Sequence, residues 1–395
     1  MEKIIIVGAG LSGSTVARLF AESGYDVTVI DKRESVGGNV YDYQDKNGIF
    51  VQPYGTHIFH TGNKEVFDFL SKFTEWNKYE HKALAWVRKD KLVPVPFNLN
   101  SLEKLYVKDK AERIKEVLIK EIGMDKTASI LTLKNHKNHE IRDFADFVYK
   151  HIYYIYTMKQ WGFKPEHLGE KFINRVPVNV SYDDRYYKDE YQFMPKLGFS
   201  AMVANILRHP HIKLKLKTDA RDELFFKDGQ IYFAGKPFEG KVVYTAPIDE
   251  LFSYKHGVLP FRSIRSKTET FKTPSYQETA VVNYTVSAKY TKITEFSKLY
   301  SQENENTVIV KEYAKAYKKG KNQPYYPIPL KKNFKLYDKY LEETKAYENL
   351  YLLGRLAEYK HVNMDKAVLN AFGLYEKIIG VKFDINDIES VVSKN

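Results

Sequence analysis

MEKIIIVGAGLSGSTVARLFAESGYDVTVIDKRESVGGN, residues 1–39, is the stretch from which the fold is read. Residues 3–7 read as a short buried strand, 11–23 as a helix, and 26–30 as a second strand that runs into Asp31. Between the first strand and the helix, Gly8, Gly10 and Gly13 stand in GxGxxG spacing, with Ser12 in the same turn. Gly8 permits the tight turn, Gly10 lets a pyrophosphate approach the backbone, and Gly13 lets helix and strand pack closely. The helix start offers unpaired N–H groups and a partial positive charge to phosphates. Asp31 follows Gly13 by 18 residues (31 − 13), where an acidic side chain accepts hydrogen bonds from a ribose. Strand, glycine turn, helix and acid in this order specify a dinucleotide site rather than a merely structural turn.

The rest of the composition bounds the answer. A chain of 395 residues suggests two or three domains and an ample core. It has no cysteine, which excludes disulfides and thiolate metal sites and fits a reducing compartment. No apolar leader precedes the first strand, and no apolar run approaches the ~18 residues of a membrane span. The chain therefore reads as soluble and cytoplasmic. Lys+Arg exceed Asp+Glu by 62 − 50 = 12, but the lysines are scattered. Solvated surface charge is the expectation, with no nucleic-acid partner. The 31 tyrosines suit a site that grips sugars and phosphates.

Outward from the glycine turn, YGTHIFHT carries His57 and His60. No third ligand recurs nearby in a metal pattern, so no metal is expected, and the loop reads as one that brings both histidines towards a cofactor. Residues 63–73 read as a helix capped by Asn63, and 82–97 as a hairpin with Lys89 and Asp90 at its turn. Residues 101–165 hold amphipathic helices, including 111–122 and 140–156, and end in a crowd of Tyr153, Tyr154, Tyr156 and Trp161. That crowd is either an aromatic core patch or a platform on which a base stacks. Arg175, in a segment between Gly169 and Pro177, is either solvated or a planar fork for a phosphate. Residues 199–208, 212–216 and 241–244 return to the dinucleotide domain as helix, strand and strand. Residues 260–313 alternate and predict an antiparallel sheet that floors a substrate site. Tyr325 and Tyr326 follow in a proline-bounded loop, and 333–346 reads as a helix. A last buried strand, 349–353, leads through Gly354 and Arg355 to a final helix with Asn363 at its N-cap position.

The expected fold class is α/β. A discontinuous Rossmann-like FAD-binding domain takes residues 1–65, 198–250 and 345–395. A helical domain takes 101–165, and an antiparallel-sheet substrate domain takes 66–100, 166–197 and 251–344. The GGN turn at Gly37, Gly38 and Asn39 resembles FAD-binding proteins of the glutathione-reductase and amine-oxidase type more than NAD dehydrogenases. No second GxGxxG is present, which argues against a dedicated NAD(P)H domain.

Assembled, these motifs resemble the bacterial UDP-galactopyranose mutases through nearly the whole chain. The likeness is carried by GAGLSG with VIDKRESVGGN, and by YGTHIFHT, YTMKQWG, NRVPV, YDDRYY, MPKLGF, YTAPID, KEYAKA, PYYPI and GRLAEYKHVNMD. It implies an isomerase that uses reduced FAD to interconvert pyranose and furanose forms of a nucleotide sugar, with the flavin N5 bonding transiently to the sugar. It further implies an external reductant, a homodimer and a role in cell-surface glycan synthesis. By resemblance, the cofactor is held by Gly8, Gly10, Ser12, Gly13, Asp31, Lys32, Gly38, Asn39, His57, Ile58, Thr218, Arg355, Asn363, Met364 and Asp365. The final helix would place its N-terminus at the flavin ring, stabilising an anionic reduced form.

His60, Arg355 and Arg175 match the residues of catalysis: one beside the flavin, one holding its reduced form, one in the lid over the diphosphate. Tyr156, Thr157, Trp161 and Tyr186 match the nucleoside side, and Arg262, Asn283, Glu312, Tyr325 and Tyr326 the sugar and phosphate side. Three substrate-side positions depart from the family pattern. Lys292 stands for an arginine, His361 for a tyrosine and His81 for an asparagine, while Thr56, for alanine or proline, is read as neutral. The departures are either neutral drift or the mark of a related substrate such as a dTDP-fucopyranose. An amine-oxidase-type FAD oxidoreductase is the remaining alternative, and it leaves YTMKQWG and PYYPI unexplained.

Overall fold

The computed structural model describes residues 1–88, 91–169 and 177–392. Five parallel strands form one sheet in the order Ile212–Lys215, Asp26–Ile30, Lys3–Val7, Lys241–Tyr244, Leu350–Leu352. Lys3–Val7 is the central strand because its run of Ile4, Ile5, Ile6 and Val7 is apolar on both faces, and all four are buried. Three separate stretches of chain therefore meet in one sheet, and their strand ends converge on the glycine turn.

The helix Leu11–Glu22 has no polar side to spare. Ser14, Thr15 and Arg18 are buried along with its apolar residues, because the last helix, Met364–Ile379, and the helix Gly198–Leu207 pack against it. Arg18 survives burial by being fully engaged. It reaches Glu22 at 2.7 Å and the carbonyls of Ile206, Arg208 and Glu389. Removing such a partner set from a buried cation costs about 3–5 kcal/mol, so Arg18 ties distant stretches of chain to one helix.

A second sheet has seven strands, in the order Tyr326–Pro327, Phe261–Phe271, Thr307–Ala316, Lys292–Glu295, Val281–Tyr284, Ala83–Arg88, Lys91–Val95. The expected antiparallel pairing holds except at one place: Val281–Tyr284 runs parallel to Ala83–Arg88. The reason is connectivity, since parallel neighbours need a long crossover and the whole helical excursion lies between these strands. The expected turn at Lys89 and Asp90 lies outside the described residues.

That excursion contains Leu99–Leu105, Lys108–Glu121, Ile130–Lys134 and His139–Val148, which bury Ala111, Ile114, Leu118, Ile141, Phe144 and Val148 at helical spacing. The expected helix over 140–156 is continuous but not uniform. Residues Tyr149–Tyr154 form a π-helical stretch before Ile155–Trp161, which stops at Gly162 with φ +75°. A π insertion adds backbone to the turn and re-aims the side chains after it, which is how such stretches come to sit at functional sites. Here the residues after it are Tyr156, Thr157 and Trp161. Among the described residues no helix is long and apolar enough to cross a membrane.

Candidate active site

The two glycine turns build a cavity by closing on each other. Gly8 has φ +110°, and a Cβ there would lie 2.0 Å from the Thr245 hydroxyl; a Cβ on Gly13 would lie 2.0 Å from the Gly8 carbonyl. Gly10 bridges to Gly37, so the second turn forms the opposite lip. Asp31 is held from both sides, accepting from the Ala9 N–H through Oδ2 and the Arg33 N–H through Oδ1, each at 2.8 Å. Each oxygen keeps a second lone pair for a ligand hydroxyl.

Of the residues expected around the cofactor, Gly8, Gly10, Ser12, Gly13, Asp31, Lys32, Gly38, Asn39, His57, Arg355, Asn363 and Met364 line this cavity. Ile58, Thr218 and Asp365 do not. Ile58 is core, Thr218 donates its N–H to the Asp31 carbonyl behind the wall, and Asp365 Oδ1 is buried without a partner. Asn363 occupies the N-cap position of the last helix, but its side chain makes no capping bond. Sequence reasoning missed Arg33, Thr245, Glu250, Gln323, Pro324 and Val362, all of which line the cavity. Arg33 had a signal, a cation two places after the acid; the others are brought there by the sheet.

A dinucleotide flavin fits this donor set. Arg33 Nη1 and Arg355 Nη1 are buried donors with no partner, and a buried unpaired donor costs about 1–3 kcal/mol unless a ligand meets it. The last helix begins on the cavity wall, with Met364 and Ala367 both lining it.

One end of the cavity opens on a cluster of rings. His57 donates from Nδ1 to the Gly55 carbonyl at 2.9 Å, which leaves Nε2 to accept from the Tyr325 hydroxyl at 3.2 Å. Burial, then the nearby Arg355 charge, lowers His57 to about 3, so the ring stays neutral. Burial likewise raises Tyr325 well above its ordinary value and keeps the phenol protonated. Arg355 donates to the Val362 carbonyl at 2.8 Å and lies over the rings of Tyr325 and Tyr326, at 5.2 and 5.1 Å. His60 takes a different place from His57. It bonds Asp189 at 2.7 Å, its ring stacks 3.6 Å from Tyr187, and it does not line the cavity.

The seven-stranded sheet supplies the next wall. Its register aligns Asn283, Lys292, Glu312 and Ser266 in one row across four strands, so all four project from the same face. Four residues from Ser266 along its strand, Arg262 shares that face and pairs with Tyr326. The loop before His57 lies across this face. Ser266 donates to the Pro53 carbonyl, and Thr56 bonds both Glu312 and Thr294. Lys292 reaches Glu312 at 3.3 Å; burial is the largest influence and opposes its charge, but Glu312, Tyr326 and Tyr186 together more than offset it and raise its pKa.

The remaining expected residues fall around this row. Tyr326 stacks on His361 at 5.1 Å and faces Trp161 at 5.6 Å. Tyr156 is raised well above its ordinary value by burial, with Tyr186, Tyr326 and Glu312 as neighbours. His81 sits between Tyr79 and the rings of Tyr186 and Tyr187; burial, then Lys292, lowers it to about 3. Thr157 is buried in the helix end, and Asn283 donates weakly to the Leu84 carbonyl at 3.4 Å. Arg262 also braces the helix beside it. Its Nε donates to the Gln160 carbonyl at 2.8 Å, capping the C-terminal end of Ile155–Trp161. Arg175 lies outside the described residues.

Fold and cavity together define a flavoprotein-type fold, a Rossmann-like domain with a second, largely antiparallel sheet. Residues 6–73 match the family model of the NAD(P)-binding Rossmann-like domain, and residues 151–361 match that of UDP-galactopyranose mutase. A probable UDP-galactopyranose mutase of Klebsiella pneumoniae is 34% identical over 94% of this chain and 93% of its own. A dTDP-fucopyranose mutase of Escherichia coli is 31% identical over 94% of this chain and 97% of its own. A crystal structure of reduced UDP-galactopyranose mutase superposes with a TM-score of 0.70, covering 98% of this chain and 97% of that one; at 16% identity this speaks to the fold. The chain belongs to the UDP-galactopyranose mutase family and is an isomerase of that family.

Proposed function

We propose that the protein converts UDP-galactopyranose to UDP-galactofuranose and back, without net redox change, on reduced FAD. The observation that carries this reading is Arg355, whose guanidinium lines the cofactor cavity and lies over Tyr325 and Tyr326. Cofactor and sugar pocket share that wall. When bound and reduced, the flavin supplies a nucleophilic N5 for the anomeric carbon.

The protein's own part is to bind, orient and balance charge. Tyr156, Thr157, Trp161 and Tyr186 take the nucleoside, Tyr326, His361, Lys292 and the lid residue Arg175 the diphosphate, and Asn283, Glu312, Tyr325, Arg262 and His81 surround the sugar. The half-buried cation of Arg355 and the N-terminus of Met364–Ile379 favour negative charge on the ring. Neutral His57 holds the Tyr325 phenol in place, and His60 shapes the pocket from beside the ring. We infer a cytoplasmic homodimer, primed by an external reductant and supplying furanose donors for surface glycans.

The test is anaerobic incubation of dithionite-reduced protein with UDP-galactose, with products separated by chromatography. A furanose product with no stoichiometric flavin oxidation is expected; flavin oxidation in step with substrate loss would mean that the flavin's two electrons pass to the sugar, and would replace the mutase with a reductase. A second reading, dTDP-fucopyranose as substrate, is favoured by the departures at Lys292, His361 and His81 and by the likeness to the Escherichia coli enzyme of that name. The same assay with the dTDP sugar separates the two.

A further inference from the structure

Thr56 is the one substrate-side residue that the sequence marks as neutral, and the structure gives it a role. Its hydroxyl donates to Glu312 Oε1 at 2.8 Å, and its backbone N–H reaches the same oxygen at 3.1 Å. Since that hydroxyl proton is spent on Glu312, the 2.6 Å contact with Thr294 must run the other way, with the Thr294 O–H donating to Thr56 Oγ. Lys292 approaches the same Oε1 at 3.3 Å. One carboxylate oxygen thus collects three protein donors, and a threonine pair fixes the direction of the chain.

The other oxygen is treated differently. No donor among the described residues reaches Glu312 Oε2. The residue is 4% exposed, yet Oε2 is not among the sealed, partnerless polar atoms, so it keeps an opening to the pocket. A carboxylate oxygen in such surroundings is an acceptor awaiting a donor. The ring of Tyr325, at the flavin end, and that of Tyr156, towards the nucleoside, both feel the Glu312 charge. Glu312 stands in one row with Lys292 and Asn283, and Thr56, which holds it, follows Gly55 packed against Tyr325, so the open oxygen belongs to the ring cluster where a sugar would sit.

We propose that Thr56 is a positioning residue for sugar recognition: it saturates Oε1 so that Glu312 presents Oε2 alone to one hydroxyl of the bound sugar. The inference rests on the mutase reading and deepens it. Thr56 also adjoins His57, so a single loop sets both the cofactor wall and the sugar acceptor.

The experiment compares wild type, Thr56→Val and Thr56→Ser on UDP-galactose and its 2-, 3- and 6-deoxy analogues, using reduced, flavin-loaded protein. Thr56→Val keeps the shape and loses the hydroxyl. It is expected to lower kcat/KM on UDP-galactose about ten- to a hundredfold, the effect of one hydrogen bond to a charge. Thr56→Ser should restore most of the loss, and the loss should shrink on the analogue that lacks the hydroxyl Glu312 reads. Equal kinetics for the serine and valine variants, or one uniform loss across the panel, overturns the proposal. If Thr56→Val does not retain flavin, Thr294→Val carries the same expectation, and a uniform or absent loss there overturns it equally. A wild type inactive on all these sugars removes the UDP-galactose reading and this inference with it; an active wild type with indifferent variants removes the inference alone.

Discussion

Acid should unfold this protein through two histidines that the fold keeps neutral. His57 and His81 are both buried, at 9% and 4% exposure, and both are lowered to about 3, first by burial and then by nearby cations. Unfolded, each returns to about 6.5. Between those values the unfolded chain binds protons that the folded chain refuses, so stability rises with pH. The contribution is whole above pH 6.5 and is lost as pH falls towards 3. At pH 5 each histidine is about 1.5 units below its unfolded value, worth about 2 kcal/mol, and the pair about 4 kcal/mol. His81→Asn removes one titration while keeping a polar side chain of similar reach. Urea unfolding of the flavin-loaded proteins at pH 7 and pH 5 gives the two slopes. All other titrating groups are common to both proteins and cancel in the difference. The variant should lose about 2 kcal/mol less than wild type on acidification. If the two proteins lose stability in parallel, His81 is not held neutral and the burial argument fails. Nitrogen-15 spectra of labelled histidine give an independent check: two rings should stay neutral down to about pH 4.

Arg355→Ala removes a half-buried guanidinium from the cofactor cavity wall, so the flavin should become harder to reduce. Dye-equilibrated potentials should shift down by about 30–60 mV, about 1.5–3 kcal/mol over two electrons, and an unchanged potential would separate Arg355 from the flavin. Arg262→Met should cost about 1–3 kcal/mol in thermal unfolding, because it frees the carbonyl end of Ile155–Trp161 in a buried place. Arg262→Lys should recover part of that, whereas equal losses would assign the effect to side-chain bulk. Gly13→Ala should abolish flavin retention, measured as the flavin-to-protein absorbance ratio, since its Cβ would meet the Gly8 carbonyl at 2.0 Å; a fully loaded variant would show that the turn gives way.

What was legible in the sequence was local or periodic. Residues 1–39 expose the dinucleotide fold because turn, helix and acid lie within one βαβ unit, where spacing alone fixes geometry. Asn63 was readable as a cap because capping spans three residues, and its side chain accepts from the Val66 N–H as expected. The failures are all long-range. Nothing in VVNY says that it will lie parallel to a strand about two hundred residues earlier. The resemblance puts Arg262 on the substrate side, and only the packed structure adds the helix end that it caps. His57 and His60 are three residues apart and equally histidine, yet strand pairing puts one on the cavity and the other against Asp189. Thr56 is the sharpest case, because its partners lie more than two hundred residues away on a sheet whose register no local pattern specifies.

The same long-range contacts explain how a pocket for an anion is built without loose charge. Arg355 is bound to the Val362 carbonyl, Arg262 to that of Gln160, and Lys292 to Glu312, so every described cation of the pocket is held before any ligand arrives. The anchors of the two arginines are carbonyl oxygens, which fix a guanidinium while leaving its charge uncancelled. Lys292 differs, because its anchor is itself an anion, and under the proposed function a diphosphate competes with Glu312 for it. An arginine fork can serve a carboxylate and a phosphate at once through separate N–H groups, whereas an ammonium is a compact point charge. The lysine therefore couples phosphate binding to the setting of Glu312. Because Thr56, itself held by the Thr294 hydroxyl, braces that carboxylate oxygen, the carboxylate keeps its aim when Lys292 turns to a phosphate. Charge and hydroxyls divide the work on one oxygen, and that division lets a lysine stand where geometry would otherwise ask for a fork.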